Sequence, residues 1–548
     1  MRTGFRTPTV IVGGFLALVA SHSLLLRLPY FWDEAGYYIP AAWDIYRTWE
    51  LVPTSTLPTG HPPLVMTYLA LAWHVFGFSS IVTRGAMILI AAATVAATYA
   101  LARRVAGREA AIWSASLLAI SPMFFAQSTL VYLDLPTALF TTLAVLALLE
   151  ERMLLFAVVA SLAVVTKETA VVMLPVAWAC TYFRARGQHA VPQQEAPGEA
   201  RARHSPSWQK WTALLVPLLA LFAWALYYHH RTGYWTGNAE YLQYNLYSTL
   251  SPGRVFWSLL RRMYEMFVGG FNWLLVTGAA AGYWWGLKKG HGGTEAQRMV
   301  RSLIWLAGGL IAAYLFLLSL VGGAVLPRYL LPVFPVFFVV TVTAIRELPR
   351  SLARGLSGVV ATCFVVAWFI NPPYPFAYEN NLAYADFIHL HQEAARYLES
   401  RPAGERILTA WPATDELCRP FLGYVRKPLR TTPLEGFTAR DFKKVAPESF
   451  DLLYIYSRKW EPLDNWLALS STFRQAQERH FGYAPQVGEE ELVFHYHLTL
   501  LRAFKRRGQW VRIYAKQESD AASLNRGMRE ANPNPFLGSS PRRRSFRG

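Results

Sequence analysis

Long apolar runs alternate with short polar segments from the N-terminus to about residue 370, and there the pattern changes. Runs able to cross a bilayer, allowing for tilt, fall roughly at 9–27, 81–101, 110–126, 135–149, 153–166, 169–183, 211–228, 267–286, 303–322, 329–345 and 356–370. This predicts an α-helical polytopic membrane protein with about eleven transmembrane helices. Two stretches between the first two runs are shorter. Residues 34–49 carry Tyr37, Tyr38, Trp43, Tyr46 and Trp49, and residues 64–78 form an apolar run of about fifteen. Both read as helices in or half-inserted at the interface. Beyond 370, a helical pattern runs from Ala385 to Ser400 and is ended by Pro402 and Gly404. β-prone runs follow at 407–411, 452–456 and 510–514. The expected organisation is a transmembrane domain over 1–370, whose first outer loop is 28–80, then a small α/β extracytoplasmic domain over 371–518. Residues 519–548 read as a disordered basic tail.

Composition supports the membrane reading. Of 548 residues, 53% are hydrophobic and only 16% charged, against about a quarter charged in soluble domains. Twenty Trp and 28 Tyr suit aromatic belts at two interfaces. The net charge of +18 would suit a nucleic-acid partner, but much of it sits in short loops, where it reports topology instead. With the N-terminus inside, the inner segments are Arg103-Arg104 with Arg108, Glu150-Glu151-Arg152, 184–210, Lys288-Lys289 with Arg298 and Arg301, and Arg346 with Arg350 and Arg354. All but the second are basic. The outer segments are then 28–80, 127–134, Lys167-Glu168, 229–266, Arg328 and everything after 370. Arg2 and Arg6 before the first apolar run resemble a signal sequence, but no small-residue cleavage site follows, so the run reads as an uncleaved first helix. Arg542-Arg543-Arg544 suit contact with anionic headgroups. Three cysteines, far apart, imply neither a disulfide framework nor a thiolate metal site.

Polar groups collect on the predicted outer side. Asp33 and Glu34 follow the first span, and His61 precedes Pro62-Pro63. Arg84 opens the second span, Asp134 the fourth, Lys167-Glu168 join the fifth and sixth, and Arg328-Tyr329 open the tenth. Each has a plain explanation alone: Arg84 and Arg328 can snorkel, Asp134 can cap a helix, His61 can bind a turn. Their order and shared face are the informative feature. Cations at headgroup level suit a lipid phosphate, and a carboxylate beside them suits a general base acting on a hydroxyl. No His/carboxylate cluster stands at metal-ligand spacing.

The ordered set resembles the polyprenyl-phosphate-dependent glycosyltransferases of the GT-C superfamily, in the protein O-mannosyltransferase and aminoarabinose transferase branch (glycosyltransferase family 39 type). The matching stretches are Trp32-Asp33-Glu34-Ala35-Gly36-Tyr37-Tyr38, Gly60-His61-Pro62-Pro63-Leu64, Arg84-Gly85-Ala86, Tyr99-Ala100-Leu101-Ala102-Arg103-Arg104, Ser121-Pro122, Leu133-Asp134-Leu135-Pro136, Thr166-Lys167-Glu168 and Arg328-Tyr329-Leu330-Leu331-Pro332-Val333-Phe334-Pro335. They cover roughly residues 9–345. The resemblance implies a GT-C fold and inverting transfer of a sugar, a mannose-like hexose or related, from a polyprenyl-phosphate donor to an acceptor hydroxyl. Asp33 would be the catalytic base, with Glu34 beside it. Asp134, His61 and Arg84 would shape the acceptor and sugar site. Lys167, Arg328 and Tyr329 would hold the donor phosphate. His61 matches the His-Pro-Pro of the mannosyltransferase branch, where the aminoarabinose branch has Lys, and so weakens an aminoarabinose assignment. No cofactor is expected other than the lipid-linked sugar. Divalent-metal use stays open, because distant relatives with pyrophosphate donors need one. The setting implied is a bacterial inner membrane, with membrane lipid as a partner and a protein, lipid or glycan acceptor.

Two other classes compete with the enzyme reading. A transporter or flippase would place ionisable residues deep within spans or show an inverted repeat, whereas these residues sit at span ends on one face. A sensor using its helices as an anchor would not call for Asp33 and His61.

Overall fold

The computed structural model describes residues 7–189, 207–239, 242–243, 246–247, 250–288, 295–462 and 470–516. Residues 190–206 of the loop expected over 184–210, and the whole tail expected over 519–548, lie outside the described residues.

Among the described residues, five helices are long and apolar enough to cross a membrane: Ser80–Ile120, Trp211–Thr232, Met299–Leu320, Pro327–Ile345 and Arg350–Ala367. Shorter apolar helices include Val12–Ser21, Asp134–Leu149, Met153–Val164 and Glu168–Phe183. The first long helix starts at Ser79, whose hydroxyl accepts from the Val82 amide. It breaks at Gly107, where φ is 83° and ψ −176°. The two runs expected at 81–101 and 110–126 are therefore two helices joined at one glycine, with Arg103, Arg104 and Arg108 at the joint. Asp134–Leu149 is buried on nearly every side and packs against Ser80–Ile120, Met153–Val164 and the turn Pro327–Val333. Its Pro136 falls in the first turn, where a missing N–H costs nothing.

Three irregular segments carry the candidate chemistry. Glu34–Tyr38 is a π-helical turn leading into helix Ile39–Thr48, which packs on helix Leu64–Phe76. Helices are thus present within both stretches expected to be helical, 34–49 and 64–78, and they pair with each other. Pro327–Val333 is a tight 3₁₀ turn. With Pro327, Pro332 and Pro335 withdrawing donors, the chain enters the following helix through this turn rather than a regular α-helix. A third element, helix Pro252–Phe267, falls in a segment expected only to be an outer loop. It starts at Ser251, whose hydroxyl accepts from the Arg254 amide, with Pro252 in its first turn. Its buried positions are Arg254, Ser258, Arg262 and Met266, one face of an amphipathic helix.

The C-terminal sheet has five strands: β1 (Arg406–Ala410), β2 (Arg430–Leu434), β3 (Leu452–Tyr456), β4 (Leu498–Arg506) and β5 (Gln509–Lys516), in the order β2-β1-β3-β5-β4. β2, β1 and β3 run parallel, while β5 and β4 add antiparallel pairs. β3 is buried at all five positions, as a central strand must be. Helix Ala383–Glu399 packs on β4 and β5. The edge strands escape the sequence reading. β2 contains Pro433, tolerated at an edge, and β4 carries charges and an irregularity between Leu500 and Arg502.

This domain sits directly on the segments 28–80 and 127–134. Trp43 stacks on Phe421 with centroids 5.2 Å apart. The Tyr424 hydroxyl donates to the Tyr30 carbonyl at 3.0 Å, and the hydroxyls of Thr129 and Tyr384 share a hydrogen bond at 3.0 Å.

Candidate active site

Asp33 and Glu34 are adjacent, yet their side chains have opposite surroundings. Trp32 takes a left-handed φ of 49°, uncommon for a bulky residue. Its ring is held edge-on by Phe387 and Trp411 at 5.6 and 5.9 Å. Asp33, just after this bend, keeps 16% of its side chain exposed, while Glu34 has none. Glu34 accepts from the amides of Phe31 and Val131, both at 2.7 Å, and from two Arg84 nitrogens at 3.3 Å. Arg84 also donates to the carbonyls of Leu28, Pro29 and Thr129 at 3.3, 2.6 and 2.8 Å. Burial pushes the Glu34 carboxyl up, and the Arg84 guanidinium beside it pulls it back. This pair ties the segment 28–34 to 129–131 and leaves no face open to a ligand. Glu34, expected next to Asp33 in catalysis, and Arg84, expected in the sugar site, are both sealed in this clamp.

A second cluster, buried except for Asp33, centres on Arg328. Its guanidinium reaches three carboxylates: Nη2 bonds Asp33, Nη1 bonds Glu379 at 2.7 Å, and Nε lies 3.4 Å from Asp134. Tyr132 stacks on it, 3.7 Å from ring centre to guanidinium carbon. Asp134 in turn accepts from Lys167 Nζ at 2.6 Å. Lys167 sits 4.2 Å over the Tyr329 ring, and Arg262 lies 5.8 Å from the same ring. Asp33, Asp134, Lys167, Arg328 and Tyr329, spread over nearly 300 positions, therefore meet in one place.

Arg262 is fully buried, and among the described residues none of its three guanidinium nitrogens has a hydrogen-bond partner. A buried cation with three unpaired donors is unfavourable; the carboxylate acting on it most strongly is Glu265. Sequence reasoning missed Arg262, Glu379 and Tyr132. A signal existed for Arg262 in the Ser251-Pro252 helix start and the spacing of four along one face. Glu379 had none.

His61 lies to one side. Its Nδ1 is 2.9 Å from Glu168 Oε2. It lines a small cavity of about 20 Å³ with Tyr37, Tyr38, Thr59, Trp224 and Tyr228. Trp224 and Tyr228 fix the loop by donating to the carbonyls of Gly60 and Pro58 at 3.0 and 3.1 Å. Tyr38 forms the wall shared with the charged cluster, and its hydroxyl is pushed well above the ordinary value by burial and then by the Asp33 carboxylate. Among the described residues, no group of three or more His, Cys, Asp or Glu side chains is arranged to hold a metal ion.

Residues 60–191 match the family described as dolichyl-phosphate-mannose-protein mannosyltransferase. A polyprenol-phosphate-mannose–protein mannosyltransferase of Corynebacterium glutamicum is 29% identical over 127 residues, which is 22% of this chain and 24% of that protein. The chain thus matches about a quarter of the length of that curated relative. Two crystal structures of ArnT from Cupriavidus metallidurans are similar throughout at 14% identity. The one bound to undecaprenyl phosphate has a TM-score of 0.53 and covers 91% of this chain and 98% of its own. The apo form has a TM-score of 0.52 and covers 92% and 98%. The chain shares the overall ArnT-like, GT-C-type fold of these two structures.

Proposed function

We propose that this protein is an integral membrane glycosyltransferase that moves a mannose-like hexose from a polyprenyl-phosphate donor to an acceptor hydroxyl, with inversion, on the outer face of a bacterial inner membrane. The observation that carries the reading is the Arg328 cluster: a partly exposed carboxylate, Asp33, beside the cations Lys167, Arg262 and Arg328 in an otherwise buried site. The matched mannosyltransferase segment supports the sugar, and the undecaprenyl phosphate in the ArnT structure supports the carrier.

The chemistry follows from the placement. Asp33 accepts the proton of the acceptor hydroxyl as its oxygen attacks the anomeric carbon. The bond from that carbon to the phosphate oxygen breaks on the opposite face, and phosphate departs on its lipid. Lys167 and Arg262, both close to the Tyr329 ring, stabilise the departing charge, which is worth most in a dry site. Arg328 links the two halves by orienting Asp33 and bridging to Asp134. Asp134 aims Lys167. Glu34 and Arg84 act as positioning residues that fix the turn carrying Asp33. His61, aimed by Glu168, stands beside the aromatic side chains Tyr37, Tyr38, Trp224 and Tyr228.

The testing experiment is turnover of purified protein with a panel of polyprenyl-phosphate sugars. Release of polyprenyl phosphate from one of them supports the reading. A folded protein that moves such lipids between leaflets and cleaves none of them would instead be a transporter.

A further inference from the structure

Glu379 is a buried carboxylate in the proposed site that comes from outside the helical body. It lies in the turn Tyr378–Asn380 that leads from the last membrane helix into the α/β domain. The neighbouring Tyr378 anchors that turn, donating to the Lys459 carbonyl at 2.7 Å and to Ser457 Oγ at 2.9 Å. The Glu379 carbonyl accepts from Gln127 Nε2 at 3.1 Å. Its carboxylate accepts from Arg328 Nη1 at 2.7 Å and from the Tyr132 hydroxyl at 3.2 Å. The side chain is 4% exposed.

Charge balances among the cluster's own side chains. The carboxylates Asp33, Asp134, Glu379 and Glu265 match the cations Lys167, Arg262, Arg328 and Arg261. A donor phosphodiester adds one negative charge, and an uncompensated charge in a low-dielectric site is costly. Something must give. Asp134 holds Lys167 as well as Arg328, and Asp33 is partly solvated. Glu379 is buried and, among the described residues, its one cation is a guanidinium that it shares with two other carboxylates.

We infer that Glu379 is a positioning residue acting as the exchangeable counter-ion of Arg328: ionised, it holds the guanidinium in the empty site, and it takes up a proton when the donor phosphate arrives. The inference rests on the donor reading above. The charged and titratable groups facing Glu379 are Arg328, Asp33, Tyr132, Asp134 and Tyr329. Burial pushes its carboxyl up to about 7, Arg328 and the Tyr132 hydroxyl oppose that, and Asp33 and Asp134 add to it. The proton comes from solvent and no covalent bond changes.

The sign follows directly. Anion binding favours the protonated form, so affinity is greatest below the free-state value and falls as pH rises through it. The test measures binding of a short-chain prenyl phosphodiester, singly charged throughout, to the full-length protein in detergent. From pH 6 to pH 8 wild type weakens about tenfold, as one linked proton near 7 requires. Glu379→Gln binds at every pH within about twofold of wild type at pH 6. Tyr132→Phe, which keeps Glu379 but removes a donor to its ionised form, moves the weakening to higher pH. Wild-type affinity that does not change with pH, or a Glu379→Gln protein that keeps the wild-type dependence, overturns the inference and leaves the donor reading standing. Absence of phosphodiester binding by wild type at any pH overturns the donor reading itself, and this inference with it.

Discussion

The indole of Trp411 occupies the space that a side chain at position 36 would need. Gly36 is the middle residue of the π-helical turn following Asp33, and Trp411 follows the last residue of β1. The two domains therefore meet at the turn that presents the proposed base, and only glycine permits the contact.

Gly36→Val should destabilise the protein by about 1–3 kcal/mol, the range for forcing extra atoms into a packed site. Adding Trp411→Ala should make the double variant more stable than the sum of the single effects allows. Thermal unfolding of the four proteins in one detergent measures this coupling. Strict additivity would mean that the contact is not what holds position 36.

Glu34→Gln leaves the buried Arg84 short of its counter-charge, and losing one member of a buried pair costs about 3–5 kcal/mol. The expected result is a large drop in unfolding temperature. Asp33→Asn, one residue earlier and partly solvated, should change it little. If Glu34 took part in chemistry, Glu34→Gln would instead fold like wild type and fail only in turnover.

Arg262 and Arg328 should separate binding from folding. Arg262 has no protein hydrogen bond to lose, so Arg262→Met should weaken donor binding by at least about tenfold, the size of one charge-assisted bond, and leave the empty protein equally or more stable. Arg328→Met strands Asp33, Asp134 and Glu379 together and should lower both. Titration of a prenyl phosphodiester alongside unfolding temperature checks both halves. Unchanged affinity in Arg262→Met would remove it from the donor site.

The charge pattern also predicts orientation. A cysteine placed at 195, within the basic stretch 184–210, should react with a membrane-impermeant thiol reagent only after the inner face is opened, and one placed at Ser471 should react from outside. Labelling at 195 in intact cells would invert the topology.

Much of this was legible in the sequence, for a physical reason. Asp33, His61, Arg84, Asp134, Lys167 and Arg328 stand at the ends of apolar runs, where the membrane forces polar groups to one side and makes them conspicuous. Long apolar helices and the buried strand β3 follow from hydrophobicity alone. What stayed hidden depends on three-dimensional closure. Glu379 reaches Arg328 across 51 positions in a segment that looks like an ordinary linker. Helix Pro252–Phe267 mixes Arg254, Arg261 and Arg262 with apolar residues and so resembles a loop to a hydropathy window. Nothing local distinguishes Glu34 from Asp33; the bend at Trp32 and the amides of Phe31 and Val131 decide which one faces inward.

The most direct test of the central claim compares wild type with Asp33→Asn in single-turnover release of polyprenyl phosphate, using whichever polyprenyl-phosphate sugar the wild type cleaves. The account predicts that Asp33→Asn binds this donor nearly as well as wild type and loses at least about a hundredfold in release rate, the usual scale for a general base. Release at the wild-type rate from Asp33→Asn would contradict it.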